Sequence, residues 1–151
     1  MKIGIASDHG GFTLKHFLAQ VLRDTGYDVE DGGCAGDSSV DYPPIIARMA
    51  GRVGSGGISR AIVVCGSGIG ASIVANKVKG VRCALCHDPL SAELSRRHND
   101  ANMLALGGRL IGEEMARRIV EVWLSTEFEG GRHGRRVGQI HDLESSETMT
   151  P

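Results

Sequence analysis

The chain alternates between short apolar runs and longer stretches in which apolar residues recur every three or four positions. Each run has the length of a β-strand that is buried on both faces of a sheet. Strands that alternate with helices along a chain pair in parallel, and the helices cover both faces. The pattern therefore predicts an α/β fold, a single-domain, three-layer αβα sandwich around a five-stranded parallel sheet, with strands at residues 3–7, 27–31, 61–65, 81–86 and 103–107.

Four stretches have the period of amphipathic helices. The first covers residues 14–22, and the second covers residues 42–53 and starts with two prolines, which suit the first turn of a helix. The third begins at Asp88, an N-cap candidate that is followed by proline. The fourth covers about residues 112–124, and its predicted apolar stripe consists of Ile111, Met115, Ile119 and Val122.

Length and charge restrict the class of protein. The chain has 151 residues, 41% of them hydrophobic, so we expect one domain over residues 1–144 and a disordered tail at 145–151. The formal net charge is −1 and basic residues cluster only at 132–136, so we expect no nucleic-acid partner. No apolar run approaches the roughly 18 residues of a membrane span, and we expect a cytoplasmic protein with no membrane partner.

The four cysteines are expected to be reduced, because the N-terminal residues are not typical of a signal segment. Cys83 and Cys86 form a CxxC pattern within a predicted strand. Residues three apart on a strand point to opposite faces of the sheet. We therefore interpret this pair as small core residues and not as a zinc knuckle or a redox turn.

Polar residues follow the first and third strands, at the sheet edge where α/β proteins bind ligands. The third strand ends at Cys65 and a glycine turn at 66–70 follows. The turn matches a dinucleotide fingerprint, with Asp88 near the expected acidic position, although a helix cap explains Asp88 equally well. A phosphatase loop would need arginine six positions after the cysteine, where the chain has Ala71.

Two further interpretations of this turn remain. Its backbone amides, at the start of a helix, would form a nest that stabilises an oxyanion on a substrate and favours Cys65 as a base. Alternatively, Cys65 only packs in the core, as free cysteines commonly do. The residues of the turn by themselves do not decide between these interpretations.

Five longer stretches favour the catalytic interpretation of Cys65. Together they resemble the ribose-5-phosphate isomerase type B family, which also contains the galactose-6-phosphate isomerase subunits. The resemblance extends from Met1 to about Leu143. It rests on SDHGGFTLK at 7–15, VDYPPIIA at 40–47, VVCGSGIGASIVANK at 63–77, LSRRHNDANMLALGGRLIG at 94–112 and FEGGRHGRRV at 128–137.

The resemblance implies a Rossmann-like, cofactor-free aldose-ketose isomerase of sugar phosphates, with ribose 5-phosphate and ribulose 5-phosphate as the expected pair. It implies that Cys65 is the base that moves a proton between C1 and C2, through an enediolate. Ser67 stands where the family normally has an assisting threonine. His98 would open the furanose ring. The enediolate oxygens would be held by Asn99 and by the turn amides of Gly66, Ser67, Gly68 and Gly70.

The resemblance also implies the rest of the substrate site. Asp8 would contact ring or hydroxyl oxygens, and Tyr42 belongs to the same substrate-binding set. The phosphate would be met by His9, Arg109, Arg132 and Arg136. Part of that set would come from a neighbouring subunit, so we expect a homodimer or a dimer of dimers with shared sites and a C-terminal interface helix.

Neither a metal nor an organic cofactor is expected, and the six histidines are scattered without HxH or HxxxH spacing. Two alternatives stay open on the sequence. One is an isomerase of a six-carbon phosphate, allose or galactose 6-phosphate. The other is a non-catalytic module that binds a sugar phosphate or a nucleotide.

Overall fold

The computed structural model describes residues 1–145. Five strands form one parallel sheet in the order β2-β1-β3-β5-β4. The strands are β1 (Lys2–Ser7), β2 (Asp28–Asp31), β3 (Arg60–Cys65), β4 (Cys83–Leu85) and β5 (Met103–Gly107). The helices between and after them are α1 (Phe12–Asp24), α2 (Tyr42–Gly54), α3 (Ile69–Ala75), α4 (Pro89–Asn99), α5 (Glu113–Ser125) and α6 (Gly131–Ser145).

The sheet is buried on both faces, as the apolar runs predicted. Successive side chains of β3 point to opposite faces: Ile62 and Val64 pack with α1, α4 and α5, whereas Val63 packs with α2 and α3. Trp123 of α5 is the largest fully buried side chain on the first face. The predicted α/β sandwich with a five-stranded parallel sheet is therefore confirmed.

Local signals account for where helices begin. The side chain of Asp88 accepts a hydrogen bond from the amide of Ser91 at 2.7 Å and so caps α4, with Pro89 as its first residue. Asp88 therefore serves as a helix cap, one of the two roles considered for it. Two prolines lie in the first turn of α2, again as expected.

Helix and strand limits differ from the prediction in three places. Strand β4 is three residues long instead of six. Helix α3 has no apolar stripe long enough to reveal it, because it has only seven residues. In α5 the predicted stripe was correct at Ile119, which is fully buried, but wrong at Met115, which is 45% exposed; Ala116 and Trp123 are buried instead.

The C-terminal part of the chain forms α6, which ends at Ser145. The expected disordered tail included Ser145, which is helical; residues 146–151 lie outside the described residues. No helix among residues 1–145 is long and apolar enough to cross a membrane.

The CxxC thiols lie on opposite faces of the sheet, as predicted. Cys83 packs against the cluster on the α2 and α3 face, and Cys86 belongs to the cluster on the other face, beside Ser91 and Ser95 of α4. Burial raises the pKa of Cys83 to about 12 and also raises the pKa of Cys86. Such thiols are inert core groups at neutral pH.

Candidate active site

A cavity of about 610 Å³ opens at the edge of the sheet where β1, β3 and β5 end. This is the edge where ligands bind in parallel α/β sheets. Most of the predicted catalytic and binding residues near the glycine turn contribute to its wall. The lining residues are Asp8, Tyr42, Cys65, Gly66, Ser67, Ile69, Gly70, Ile73, Arg109 and Leu110.

Cys65 is the last residue of β3, and the turn after it folds back over its thiol. The amide of Gly68 donates a hydrogen bond to Cys65 Sγ at 3.1 Å. Gly68 has a φ of +77°, and a Cβ there would lie 2.6 Å from the Leu85 side chain. Only glycine therefore allows this approach. The hydrogen bond orients the sulfur and provides a donor to a thiolate.

The glycine turn is also fixed to the end of β5. The carbonyls of Cys65 and Gly66 accept hydrogen bonds from the amides of Gly108 and Arg109, at 2.8 and 2.9 Å. Ser67 Oγ accepts from the amide of Ile69 at 3.3 Å. The nest prediction assigned the Gly68 amide to substrate oxygens, whereas in this structure that amide contacts the sulfur.

Asp8 and His9 follow β1 at the same edge. Asp8 is buried, and its Oδ1 accepts from the amide of Gly11 at 3.0 Å, which fixes the carboxylate at the cavity wall. His9 Nδ1 accepts from the amide of Val40 at 3.2 Å. The proton of a neutral His9 therefore resides on Nε2, which makes that nitrogen a donor for an anion.

Two glycines make room for large side chains at the cavity. A Cβ on Gly66 would lie 3.4 Å from the Arg109 guanidinium, so Arg109 crosses directly over the turn. A Cβ on Gly70 would lie 2.6 Å from the Tyr42 hydroxyl. Arg109 and Tyr42 thus pack against the turn and line the cavity.

The remaining predicted residues, His98, Asn99, Arg132 and Arg136, lie at the other end of the strands, where the strands begin. His98 and Asn99 end α4, just before the start of β5, where the amide of Ala61 donates to the carbonyl of Asn102. From Ala61 to Cys65 the strand rises about 13 Å, at about 3.3 Å per residue. Helix α4 also covers the other face of the sheet from α3. His98 and Cys65 of one chain therefore do not share a site.

His98 belongs instead to a cluster with α6. Its ring stacks on that of His133, with 4.2 Å between centroids and 8° between planes. Glu129 Oε2 lies 3.9 Å from His98 Nε2 and 3.5 Å from His133 Nε2. Arg132 Nε donates to His133 Nε2 at 3.5 Å, and Arg136 is exposed one turn further along α6. Glu129 and His133 were not among the predicted site residues, although both occur in the FEGGRHGRRV stretch.

Asn99 is exposed beside this cluster, and its carbonyl accepts from Arg82 Nε at 2.9 Å. It lines a second cavity, of about 560 Å³, between β4 and α6. The structure of one chain therefore separates the predicted site residues into two groups. One surrounds Cys65, and the other consists of His98, Asn99, Arg132 and Arg136.

His98, Glu129 and His133 are the one group within residues 1–145 whose ligand atoms are close enough for a metal, all within 4.8 Å of one another. Imidazoles bind zinc through a nitrogen lone pair that lies in the plane of the ring. Because the two rings are stacked nearly parallel, an ion in the plane of one lies outside the plane of the other. The stacked geometry therefore does not direct both imidazole lone pairs at one ion.

The comparisons with known proteins agree with this architecture. The model of the ribose/galactose isomerase family matches residues 3–140. The chain belongs to this family. The solved structure of ribose-5-phosphate isomerase B from Clostridium thermocellum superposes with a TM-score of 0.96 and is 51% identical, covering 98% of this chain and 100% of that one.

Two curated relatives extend the comparison. Ribose-5-phosphate isomerase B of Escherichia coli is 44% identical over 143 residues, 95% of this chain and 96% of the relative. D-erythrulose-4-phosphate isomerase of Pectobacterium atrosepticum is 39% identical over 149 residues, 97% of each chain. The resemblance inferred from the five motifs is confirmed, and the chain is an isomerase.

Proposed function

We propose that this isomerase interconverts ribose 5-phosphate and ribulose 5-phosphate without a cofactor. The observation that supports this most directly is the buried Cys65 thiol, which lies in the cavity wall under the Gly68 amide and beside Asp8 and Arg109. The Clostridium and Escherichia relatives are both ribose-5-phosphate isomerases B, which supports the choice of a pentose phosphate.

In the proposed reaction Cys65, as the thiolate, takes the proton from C2 of the open-chain aldose. An enediolate forms as O1 gains negative charge, the O2 proton passes to O1, and the same thiol then gives the proton it took from C2 to C1 as C2 becomes the ketose carbonyl. Donors in the glycine turn stabilise the charge that develops on O1 and O2. The Ser67 hydroxyl lies at the same wall and assists, and Asn99 supplies an amide from the second group.

His98 opens the furanose ring before this proton transfer. His9, Arg109, Arg132 and Arg136 hold the phosphate, and the resulting binding energy positions C1 and C2 at the thiol. Arg132 and Arg136 lie one helical turn apart on α6, so their guanidiniums project to the same side and converge on one anion.

We propose that a second copy of the chain completes each site. His98, Arg132 and Arg136 lie at the far edge of the sheet, so those facing a given Cys65 must come from another subunit. The mouth of the cavity is apolar, with Ile69, Ile73 and Leu110 between 51% and 59% exposed, as a subunit contact requires. The proposed assembly is a homodimer or a dimer of dimers, with α6 at the interface.

All four cysteines are free, which is consistent with a thiol base and with a reducing compartment. We propose that the enzyme is cytoplasmic.

The substrate is tested by turnover of a panel of aldose phosphates without added metal or nucleotide. We expect the highest kcat/KM on ribose 5-phosphate. A higher value on erythrose 4-phosphate would align the chain with the Pectobacterium relative, and a higher value on allose or galactose 6-phosphate would favour the six-carbon alternative. Binding without turnover of any sugar would contradict an isomerase.

Complementation tests the shared site. Cys65→Ala and Arg136→Ala chains, each inactive alone, should regain activity when their subunits exchange, because a heterodimer has one site with both lesions and one with neither. We expect about half the wild-type specific activity per heterodimer if sites act independently. Arg135→Ala, on the same helix about 100° away, is the matched control and should be active alone. No recovery after verified subunit exchange would place Arg136 and Cys65 of one site in the same chain.

A further inference from the structure

Glu129 is held so that one carboxylate oxygen faces both stacked imidazoles. Its Oε1 accepts from Arg97 Nε at 2.6 Å, and its own amide donates to the carbonyl of Arg97 at 3.1 Å. Its Oε2 faces the two histidines, 3.9 Å from Nε2 of His98 and 3.5 Å from Nε2 of His133. Arg97 is in turn held by Glu93 at 2.9 Å. The direction of Oε2 is therefore fixed by contacts to α4.

The two imidazoles form a coupled pair. Two positive charges on rings stacked at 4.2 Å would repel each other, so the pair favours one imidazolium over two. The side chain of His133 is 9% exposed and that of His98 is 35% exposed. Burial lowers the pKa of His133, and the neighbouring charges of His98, Arg132 and Arg136 lower it further, although Glu129 acts in the opposite direction. His133 is therefore the harder ring to protonate, and the more exposed His98 is the ring better placed to carry a proton.

Glu129 is the negative charge that balances this pair. Arg97 lowers the pKa of Glu129, and both histidines add to that effect, so the carboxylate stays ionised across the neutral range. Cations also lie close to this cluster: Arg97 of α4 contacts Glu129, and Arg132 and Arg136 of α6 act on His133. Without Glu129, an imidazolium at His98 would be surrounded by positive charge.

We propose that Glu129 is a positioning residue that keeps the proton on His98, so that His98 acts as the acid in ring opening. This inference rests on the proposed function, because it assumes that His98 opens the ring. As the C1–O4 bond breaks, the His98 proton passes to O4, the O1 proton leaves to solvent and C1 becomes a carbonyl. Solvent then reprotonates His98, so atoms and charge balance over the step.

The test compares Glu129→Gln with Glu93→Gln. Glutamine keeps the shape and one oxygen for Arg97, and Glu93→Gln removes the other carboxylate of Arg97 while leaving the histidines untouched. The rate profile of kcat/KM against pH is measured with ribose 5-phosphate and with erythrose 4-phosphate. The second substrate cannot close a furanose ring, because its C4 oxygen carries the phosphate.

For wild type, the ribose 5-phosphate profile should fall on the alkaline side, as His98 loses its proton, and the erythrose 4-phosphate profile should lack that fall. In Glu129→Gln the alkaline limb should move to lower pH by about one unit, the effect of one charge at about 4 Å from a partly exposed group. Glu129→Asp should restore part of the shift, and Glu93→Gln should match wild type on both sugars.

A readout independent of turnover is the NMR titration of the His98 ring, which should shift in the same direction in Glu129→Gln and stay unchanged in Glu93→Gln. If His98→Asn impairs both sugars equally, ring opening by His98 fails and the proposed mechanism is at fault. If His98→Asn impairs only ribose 5-phosphate, yet Glu129→Gln leaves both the alkaline limb and the His98 titration unmoved, the role of Glu129 is overturned.

Discussion

Replacing Cys65 with alanine separates catalysis from stability. Cys65 is 4% exposed, so the change removes one buried sulfur, comparable to a methylene group worth about 0.8 kcal/mol. The Gly68 amide also loses its acceptor, which costs about another 1 kcal/mol. The free energy of unfolding should fall by about 1–2 kcal/mol. For a chain of this size the melting temperature should fall by about 2–8 °C.

Turnover should fall far more, by about 10²- to 10⁴-fold, because the alanine variant has no base at C1 and C2. The assay is ribose 5-phosphate isomerisation in D2O, which follows both ketose formation and deuterium uptake at carbon. Both should be lost together. Calorimetry and binding of a sugar phosphate verify that the variant is folded and keeps its cavity.

Cys86→Ala is the matched control, because Cys86 is equally buried but packs on the other face of the sheet. It should lose about as much stability and keep wild-type turnover. A Cys65→Ala chain that retains more than about a hundredth of wild-type turnover, with deuterium uptake intact, would refute the assignment of Cys65 as the base.

Gly68→Ala should lower both the urea midpoint and turnover, because the new Cβ would lie 2.6 Å from a leucine side chain and the backbone there is left-handed. Gly112→Ala, with open space around its Cβ, is the control and should match wild type. Iodoacetamide at pH 8 should inactivate the enzyme by modifying Cys65 but not Cys83, because burial raises the pKa of Cys83 to about 12. Ribose 5-phosphate should protect Cys65 from modification, and mass spectrometry identifies the modified cysteine. Hydrogen bonds from the first turn of α4 lower the pKa of Asp88, so its stabilisation is present above the ordinary carboxyl pKa of about 3.9 and is lost below it. The difference in urea midpoint between wild type and Asp88→Ala should therefore shrink below about pH 4.

Much of the fold follows from local pattern. Five apolar runs and the caps at Asp88 and at the prolines of α2 were readable because strand burial and helix capping act over a few residues. The apolar period did not reveal helix α3, and it predicted the buried face of α5 only in part. A seven-residue helix has too few positions for a period, and the face that α5 buries is chosen by its contacts with α1 and α4.

The active-site cavity was predictable for a different reason. In a parallel sheet all strands end at one edge, so Asp8 and Cys65 converge wherever the strands lie in sequence. Tyr42 and Arg109 reach the cavity only because Gly70 and Gly66 lack side chains where they pass. That complementarity depends on distances that spacing along the chain does not specify.

By itself, the sequence determined the sheet, its helical layers, the family and the identity of the thiol beneath the glycine turn, because each depends on residue types at short spacing. Only the tertiary structure decided that His98 stands at the opposite sheet edge from Cys65 and beside Glu129 and His133. That placement depends on how α4 and α6 pack, which is set by contacts between residues more than thirty positions apart.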